Sequence, residues 1–155
     1  MKKIGVIGIG NPLRQDDGIG IILINKLIEN KYFFLNNVEL IDAGTGGMNL
    51  LHIFSNFEKV LIIDAVKFGS KPGNFKIFKL EDIKNKNLEI SFSAHETDFL
   101  KIIELSKKLN ELPDVTIFGV QPKSTSHKTG LSKELSESVD KIFLGLNQAI
   151  KEIIK

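Results

Sequence analysis

Short runs rich in valine and isoleucine recur along the chain at residues 3–9, 38–41, 60–65 and 115–120, each bounded by Gly, Asp or Pro. Runs of this length and composition predict buried strands. Between them the apolar positions take up helical spacing. Ile19, Leu23, Leu27 and Ile28 mark one helix face, and Met48, Leu51 and Phe54 a second. Phe99, Ile102, Ile103 and Leu109 mark a third, and Leu135, Val139, Ile142, Phe143, Leu146 and Ile150 a long C-terminal one. Strands alternating with helices predict an α/β fold whose sheet is largely parallel and covered on both faces.

One stretch breaks the rhythm. Lys67-Phe68-Gly69-Ser70-Lys71-Pro72-Gly73 is rich in turn residues and too short to hold a crossover helix. The strand-like Asn74-Phe75-Lys76-Ile77-Phe78-Lys79 that follows is therefore expected to run antiparallel beside its predecessor, with lysines suited to a sheet edge. Residues 82–89 read as a polar excursion. With no internal repeat, low-complexity tract or linker, the 155 residues are expected to form a single domain, 1–155.

Composition narrows the chemistry. Lys and Arg number 21 against 19 Asp and Glu, a formal charge of +2, and the lysines are scattered, so a polyanion-binding surface and a nucleic-acid partner are not expected. The absence of cysteine removes disulfides, thiolate metal sites and a cysteine nucleophile, leaving O and N donors for any metal. No apolar stretch approaches the roughly 20 residues of a membrane span. The run after Met1-Lys2-Lys3 is too short and too broken by glycine to be a signal peptide. A cytoplasmic protein without membrane insertion is expected.

The first strand runs into Gly8-Ile9-Gly10-Asn11-Pro12-Leu13-Arg14-Gln15-Asp16-Asp17-Gly18-Ile19-Gly20, which superficially resembles a nucleotide-binding loop. The third glycine of a dinucleotide fingerprint would fall on Leu13, and two carboxylates at the helix mouth would repel a pyrophosphate. The loop suits a cation better. Asp16 fits a helix N-cap, a role worth about 1 kcal/mol. Asp17 then falls in the first turn, where it either complements the helix dipole or points into a crevice. Gly18 and Gly20 weaken the helix start by roughly 1 kcal/mol each relative to Ala, which suggests that something approaches closely there.

In an open α/β sheet, ligands collect beyond the carboxyl ends of the parallel strands. The strand Leu61-Ile62-Ile63 ends in Asp64, either an exposed aspartate bonded to a neighbouring loop or a carboxylate whose desolvation requires hydrogen bonds or a cation. A candidate strand near residues 89–92 leads into Ser93-Ala94-His95-Glu96. Ser93-x-x-Glu96 is a capping box that places His95 in a first helical turn, a position compatible with a neutral, metal-ligating imidazole. Asp42-Ala43-Gly44-Thr45-Gly46-Gly47 reads either as a glycine turn before a helix or as backbone lining the crevice for a substrate chain. His127 falls in a polar loop and is expected to be exposed, and His52 is assigned no role. Neither a G-x-S-x-G elbow nor H-E-x-x-H occurs, so a serine hydrolase and an ordinary zinc protease are poorly supported.

Together these motifs resemble the hydrogenase maturation endopeptidases. The parts that carry the resemblance are Gly8-Ile9-Gly10-Asn11-Pro12-Leu13 leading to Asp16-Asp17-Gly18-Ile19-Gly20, Asp42-Ala43-Gly44-Thr45-Gly46-Gly47, Ile62-Ile63-Asp64-Ala65, Ser93-Ala94-His95, Gly119-Val120-Gln121-Pro122 and Gly130-Leu131-Ser132. The resemblance implies a three-layer α/β/α sandwich around a mixed, mostly parallel five-stranded sheet. It implies an endopeptidase, aspartic-type or metal-dependent, that removes the C-terminal extension of a [NiFe] hydrogenase large-subunit precursor after nickel insertion. It further implies that Asp17, Asp64 and His95 are the catalytic and metal-engaging residues and that the nickel is carried by the substrate. Asp16 matches another acidic position and is a candidate contributor. Two carboxylates and an imidazole would leave open positions on a divalent ion. The rival reading from another class is a non-catalytic module that senses nickel or docks the precursor in the same crevice.

Overall fold

The computed structural model describes residues 3–30, 36–86, 88–90 and 96–155. Its strands, numbered in chain order, are β1 (Ile4–Gly8), β2 (Val38–Asp42), β3 (Lys59–Lys67), β4 (Phe75–Lys79), β5 (Glu89–Ile90) and β6 (Asp114–Val120). The main path runs β2-β1-β3-β6-β4, parallel through β6 and closed by an antiparallel β4. Helices α1 (Ile19–Asn30) and α5 (Lys133–Ile154) cover one face, and α2 (Asn49–Phe54) and α4 (Glu96–Lys108) cover the other. This is the α/β/α sandwich on a mixed, five-strand path that the motifs implied.

The central strand shows why the layers form. From Val60 to Val66 every residue of β3 is buried, as a parallel strand with helices on both faces requires. Val60, Ile62 and Val66 pack with Leu50, Phe54, Phe99 and Ile102, whereas Leu61, Ile63 and Ala65 pack with Leu23, Leu27, Ile142 and Leu146. Each fully buried aliphatic or aromatic side chain contributes roughly 1.5–3 kcal/mol, so the two faces hold the sheet from both sides. Asp64 interrupts this apolar strand. By strand alternation its side chain projects to the face of Ile62 and Val66, the one covered by α2 and α4.

The structure corrects several expectations. β4 is an antiparallel edge strand, but it lies beside β6 and not beside β3. β1 and β6 already occupy the two sides of β3, so the link after β3 crosses to the free side of β6. Gln121 holds that link: its Oε1 accepts the N–H of Phe68 (2.8 Å) and Ser70 (3.3 Å), and its carbonyl accepts the N–H of Gly73 (2.9 Å). The polar excursion begins within a helix, α3 (Leu80–Lys86), which buries Ile83. The strand near residue 89 is short and antiparallel to β3, through Val66 and Lys67, so it is no part of the parallel set. On the helix faces, Ile28, Met48 and Leu109 are exposed, while Ile24 and Leu50 take core positions.

Candidate functional site

At the carboxyl end of β1 the chain is tied down on both sides. Ile9 donates its N–H to the carbonyl of Ile63 (3.1 Å), Gly10 to that of Gly44 (2.8 Å), and Ala43 to that of Gly8 (2.9 Å). The loop then enters a 3-10 segment, Pro12–Gly18, which is kinked at Arg14 and Gln15 and capped by Asn11, whose side chain accepts the N–H of Leu13 at 3.0 Å. Asn11 is therefore the N-cap, and the expectation that Asp16 caps the helix is overturned. The helical segment starts at Pro12, five residues earlier than a cap at Asp16 requires, because Asn-Pro supplies both a side-chain acceptor and a fixed φ at the first helical position. That dipeptide is a signal in the sequence that would have located the cap.

The two neighbouring aspartates, both fully buried, face different partners. Asp16 is bound to the loop after β6: its Oδ2 accepts the N–H of Lys123 (2.8 Å) and Ser124 (3.1 Å), and its Oδ1 accepts that of Ser132 (2.7 Å). Asp17 turns back on the glycine loop, with its Oδ2 accepting the N–H of Asn11 at 2.9 Å. The close approach expected at the glycines is made by the protein's own backbone. A Cβ on Gly20 would overlap the carbonyl oxygens of Ile9 and Ile63, and one on Gly18 would come within 2.7 Å of Pro12 Cα.

These contacts bring Asp17 and Asp64 to one end of the sheet. Gly20, three residues after Asp17, rests on the carbonyl of Ile63, the residue immediately before Asp64. Asp64 is fully buried and not the exposed aspartate of the blander reading; its Oδ1 accepts the N–H of Ala65 at 2.8 Å. His95 and the Ser93 half of the capping box lie outside the described residues. The first described residue after them, Glu96, opens α4, whose Phe99, Ile102 and Ile103 pack against Ile62 and Val66 on the face to which Asp64 projects. Among the described residues no group of three His, Asp or Glu side chains forms a metal-holding cluster.

The turn after β2 is built as its glycines require. Asp42 Oδ1 accepts the N–H of Gly44 (3.0 Å), its Oδ2 accepts from Asn25 Nδ2 (3.0 Å), and Gly44, Gly46 and Gly47 all have positive φ. The space above Gly44 and Gly47 is open. Met48 beyond the turn and Leu13 in the first loop are 60% and 64% exposed. His127 is exposed, as expected. Gln121 entered the sequence reading only as part of the Gly119-Val120-Gln121-Pro122 motif, with no role; it follows β6 directly and fixes the 68–74 link beside the same sheet end.

Asp64 does not end its strand as expected, because β3 stays paired with β6 through Ala65 and runs on to Lys67. Chemically, two buried carboxylates, one inside that strand and one just before α1, are hard oxygen donors, and removing them from water is costly unless cations or N–H groups compensate. Oxygen donors of this kind suit a divalent ion better than a phosphate.

Residues 22–150 match the family model for hydrogenase maturation protease. The chain belongs to the hydrogenase maturation protease family. It is 34% identical over 148 residues to a Methanocaldococcus jannaschii protein named as such a protease, with 90% of this chain and 91% of that one covered. It is 33% identical over 118 residues to the hydrogenase expression/formation protein HoxM of Cupriavidus necator, covering 76% of this chain and 58% of HoxM. Its fold superposes on the hydrogenase maturating endopeptidase HybD of Escherichia coli with a TM-score of 0.81 at 28% identity, over 97% of this chain and 93% of that one. Proteolytic processing of a hydrogenase large-subunit precursor is the activity class of this family, and this maturation protease is a hydrolase of that class. The glycine loop lies outside the matched 22–150 stretch, but the likeness to HybD extends over nearly the whole chain. No described helix is long and apolar enough to cross a membrane.

Proposed function

We propose that this protease removes the C-terminal extension of a [NiFe] hydrogenase large-subunit precursor in the cytoplasm, and that it recognises the precursor through nickel already inserted there. Asp17, Asp64 and His95 are the proposed nickel-engaging and catalytic residues, which makes the cleavage metal-dependent without a resident metal in the protease. The supporting observation is the pair of fully buried carboxylates, Asp17 and Asp64, one just before α1 and the other inside the central strand, linked through the packing of Gly20 on the carbonyl of Ile63. Asp17 accepts the N–H of Asn11 and Asp64 that of Ala65, bonds that help to orient each carboxylate. The substrate's nickel would polarise a carbonyl or activate water. The open space above Gly44 and Gly47 would let an extended tail pass close to the backbone.

The test is incubation of purified protein with a cognate precursor, with and without nickel, followed by mass spectrometry of the large subunit. Shortening of the nickel-loaded form alone is expected. Failure to cut the loaded precursor would leave the docking-module reading, and equal cutting of both forms would remove nickel from the recognition step.

A further inference from the structure

We propose that Asp16 is a positioning residue for Asp17, acting by locking the loop after β6 against the 3-10 helix; this rests on the functional reading above for Asp17. The carboxylate of Asp16 is fully buried and both of its oxygens are engaged by backbone donors from residues more than a hundred positions away: Lys123 and Ser124 on Oδ2, Ser132 on Oδ1. Three converging N–H groups occupy this carboxylate, so it is a poor candidate for a metal ligand. A buried carboxylate with several N–H donors is a strong, directional anchor, because each bond is charge-assisted.

The neighbouring residues extend the lock. Gln15 has φ 47° and ψ −117°, a conformation that costs a non-glycine residue on the order of 1–3 kcal/mol and persists only where the surroundings impose it. Its N–H donates to the carbonyl of Lys128 (2.7 Å), Ser126 Oγ donates to its Oε1 (3.1 Å), and the N–H of Asp16 donates to the carbonyl of Ser124 (3.1 Å). Arg14 Nε adds a bond to the carbonyl of Thr125 at 3.2 Å. Every residue from Arg14 to Asp16 is thus bonded to the 123–132 loop, and the next residue is Asp17. The path of the backbone into Asp17 is set by a loop that makes no part of the carboxylate pair itself.

Two independent perturbations test this. Asp16→Asn keeps the size but places an NH2 group against at least one backbone N–H, breaking one arm of the lock. Ser132→Pro removes the N–H that donates to Oδ1 at a position whose φ of −59° accepts proline, while Ser132→Ala loses the same helix-capping hydroxyl and keeps the N–H. The first readout, on the protein alone, is amide hydrogen exchange at Asn11, whose N–H is held by Asp17 and not by Asp16. Exchange there is expected to be about tenfold faster or more in Asp16→Asn and Ser132→Pro, and unchanged in Ser132→Ala. Acceleration confined to residues 123–132 would reduce Asp16 to a loop anchor and overturn the proposal. The second readout is cleavage of nickel-loaded precursor: kcat is expected to fall about tenfold or more with KM within about threefold. Wild-type kcat in folded Asp16→Asn would also overturn it. If the wild-type protein cuts no precursor, the functional reading fails while the exchange experiment still decides the positioning. If Asp16→Asn does not fold, the Ser132 pair decides it.

Discussion

The backbone N–H of Asn11 donates to Asp17 Oδ2 at 2.9 Å, while the Asn11 side chain accepts the N–H of Leu13. One residue thus caps the start of the 3-10 helix and orients the carboxylate near its end. The carboxylate proposed to meet the substrate's metal is aimed by the glycine loop that precedes it, so loop geometry and site chemistry are coupled through a single peptide unit.

Replacing either proposed carboxylate with its amide tests charge at nearly constant shape. Asp17→Asn, Asp64→Asn and His95→Ala are each expected to slow precursor processing by about a hundredfold or more, the range for loss of a directly acting group. Unfolding free energy should fall by no more than about 3 kcal/mol, as for ordinary point changes. Rates are read by gel shift of the large subunit and stability by denaturant titration. Near-normal processing in any one variant removes that residue from the site.

The source of the metal can be separated from the need for it. Because the nickel is proposed to arrive on the precursor, pretreating the protease alone with a chelator, then removing the chelator, is expected to leave cleavage of loaded precursor unchanged. Loss of activity that returns on adding metal to the protease would instead place a resident ion in the protein.

Gly20 and Gly47 make opposite demands on a methyl group. Gly20→Ala would drive a Cβ into the carbonyl oxygens of Ile9 and Ile63, and the overpacking is expected to destabilise the fold by about 1–3 kcal/mol or more and to slow processing by shifting α1 away from β3. Gly47→Ala meets open space, but its φ of 64° costs about 1–2 kcal/mol. Thermal melts and processing rates of the pair check this: Gly20→Ala should lose disproportionately more activity.

Removing the Gln121 side chain takes the acceptor from the N–H groups of Phe68 and Ser70 together. Gln121→Ala is expected to cost about 1–3 kcal/mol. It should also make residues 68–74 more sensitive to limited proteolysis, with cut sites identified by mass spectrometry. Unchanged protease sensitivity would show that the backbone bonds of Gln121 suffice, its carbonyl accepting the N–H of Gly73 and its N–H donating to the carbonyl of Asn74 at 2.8 Å.

The layer architecture was legible in the sequence because periodicity is a local property. A central parallel strand must be apolar on both faces, so Val60-Leu61-Ile62-Ile63 announced itself and Asp64 stood out after it, although the strand itself runs on to Lys67. Helical spacing marked α1, α4 and α5 in the same way, whereas α3 was hidden by its charge, and Ile28, Met48 and Leu109, expected on apolar helix faces, are exposed.

What the sequence by itself determined, then, was the set of elements and the candidates Asp17, Asp64 and His95. Only the tertiary structure decided which edge β4 pairs with, since that depends on β1 and β6 having filled both sides of β3. It alone showed what Asp16 binds, because its donors come from residues 123, 124 and 132, and no local pattern encodes a bond across that separation. It also showed that Gly18 and Gly20 are small for the sake of Pro12, Ile9 and Ile63, contacts that exist only once α1 is laid against the ends of β1 and β3.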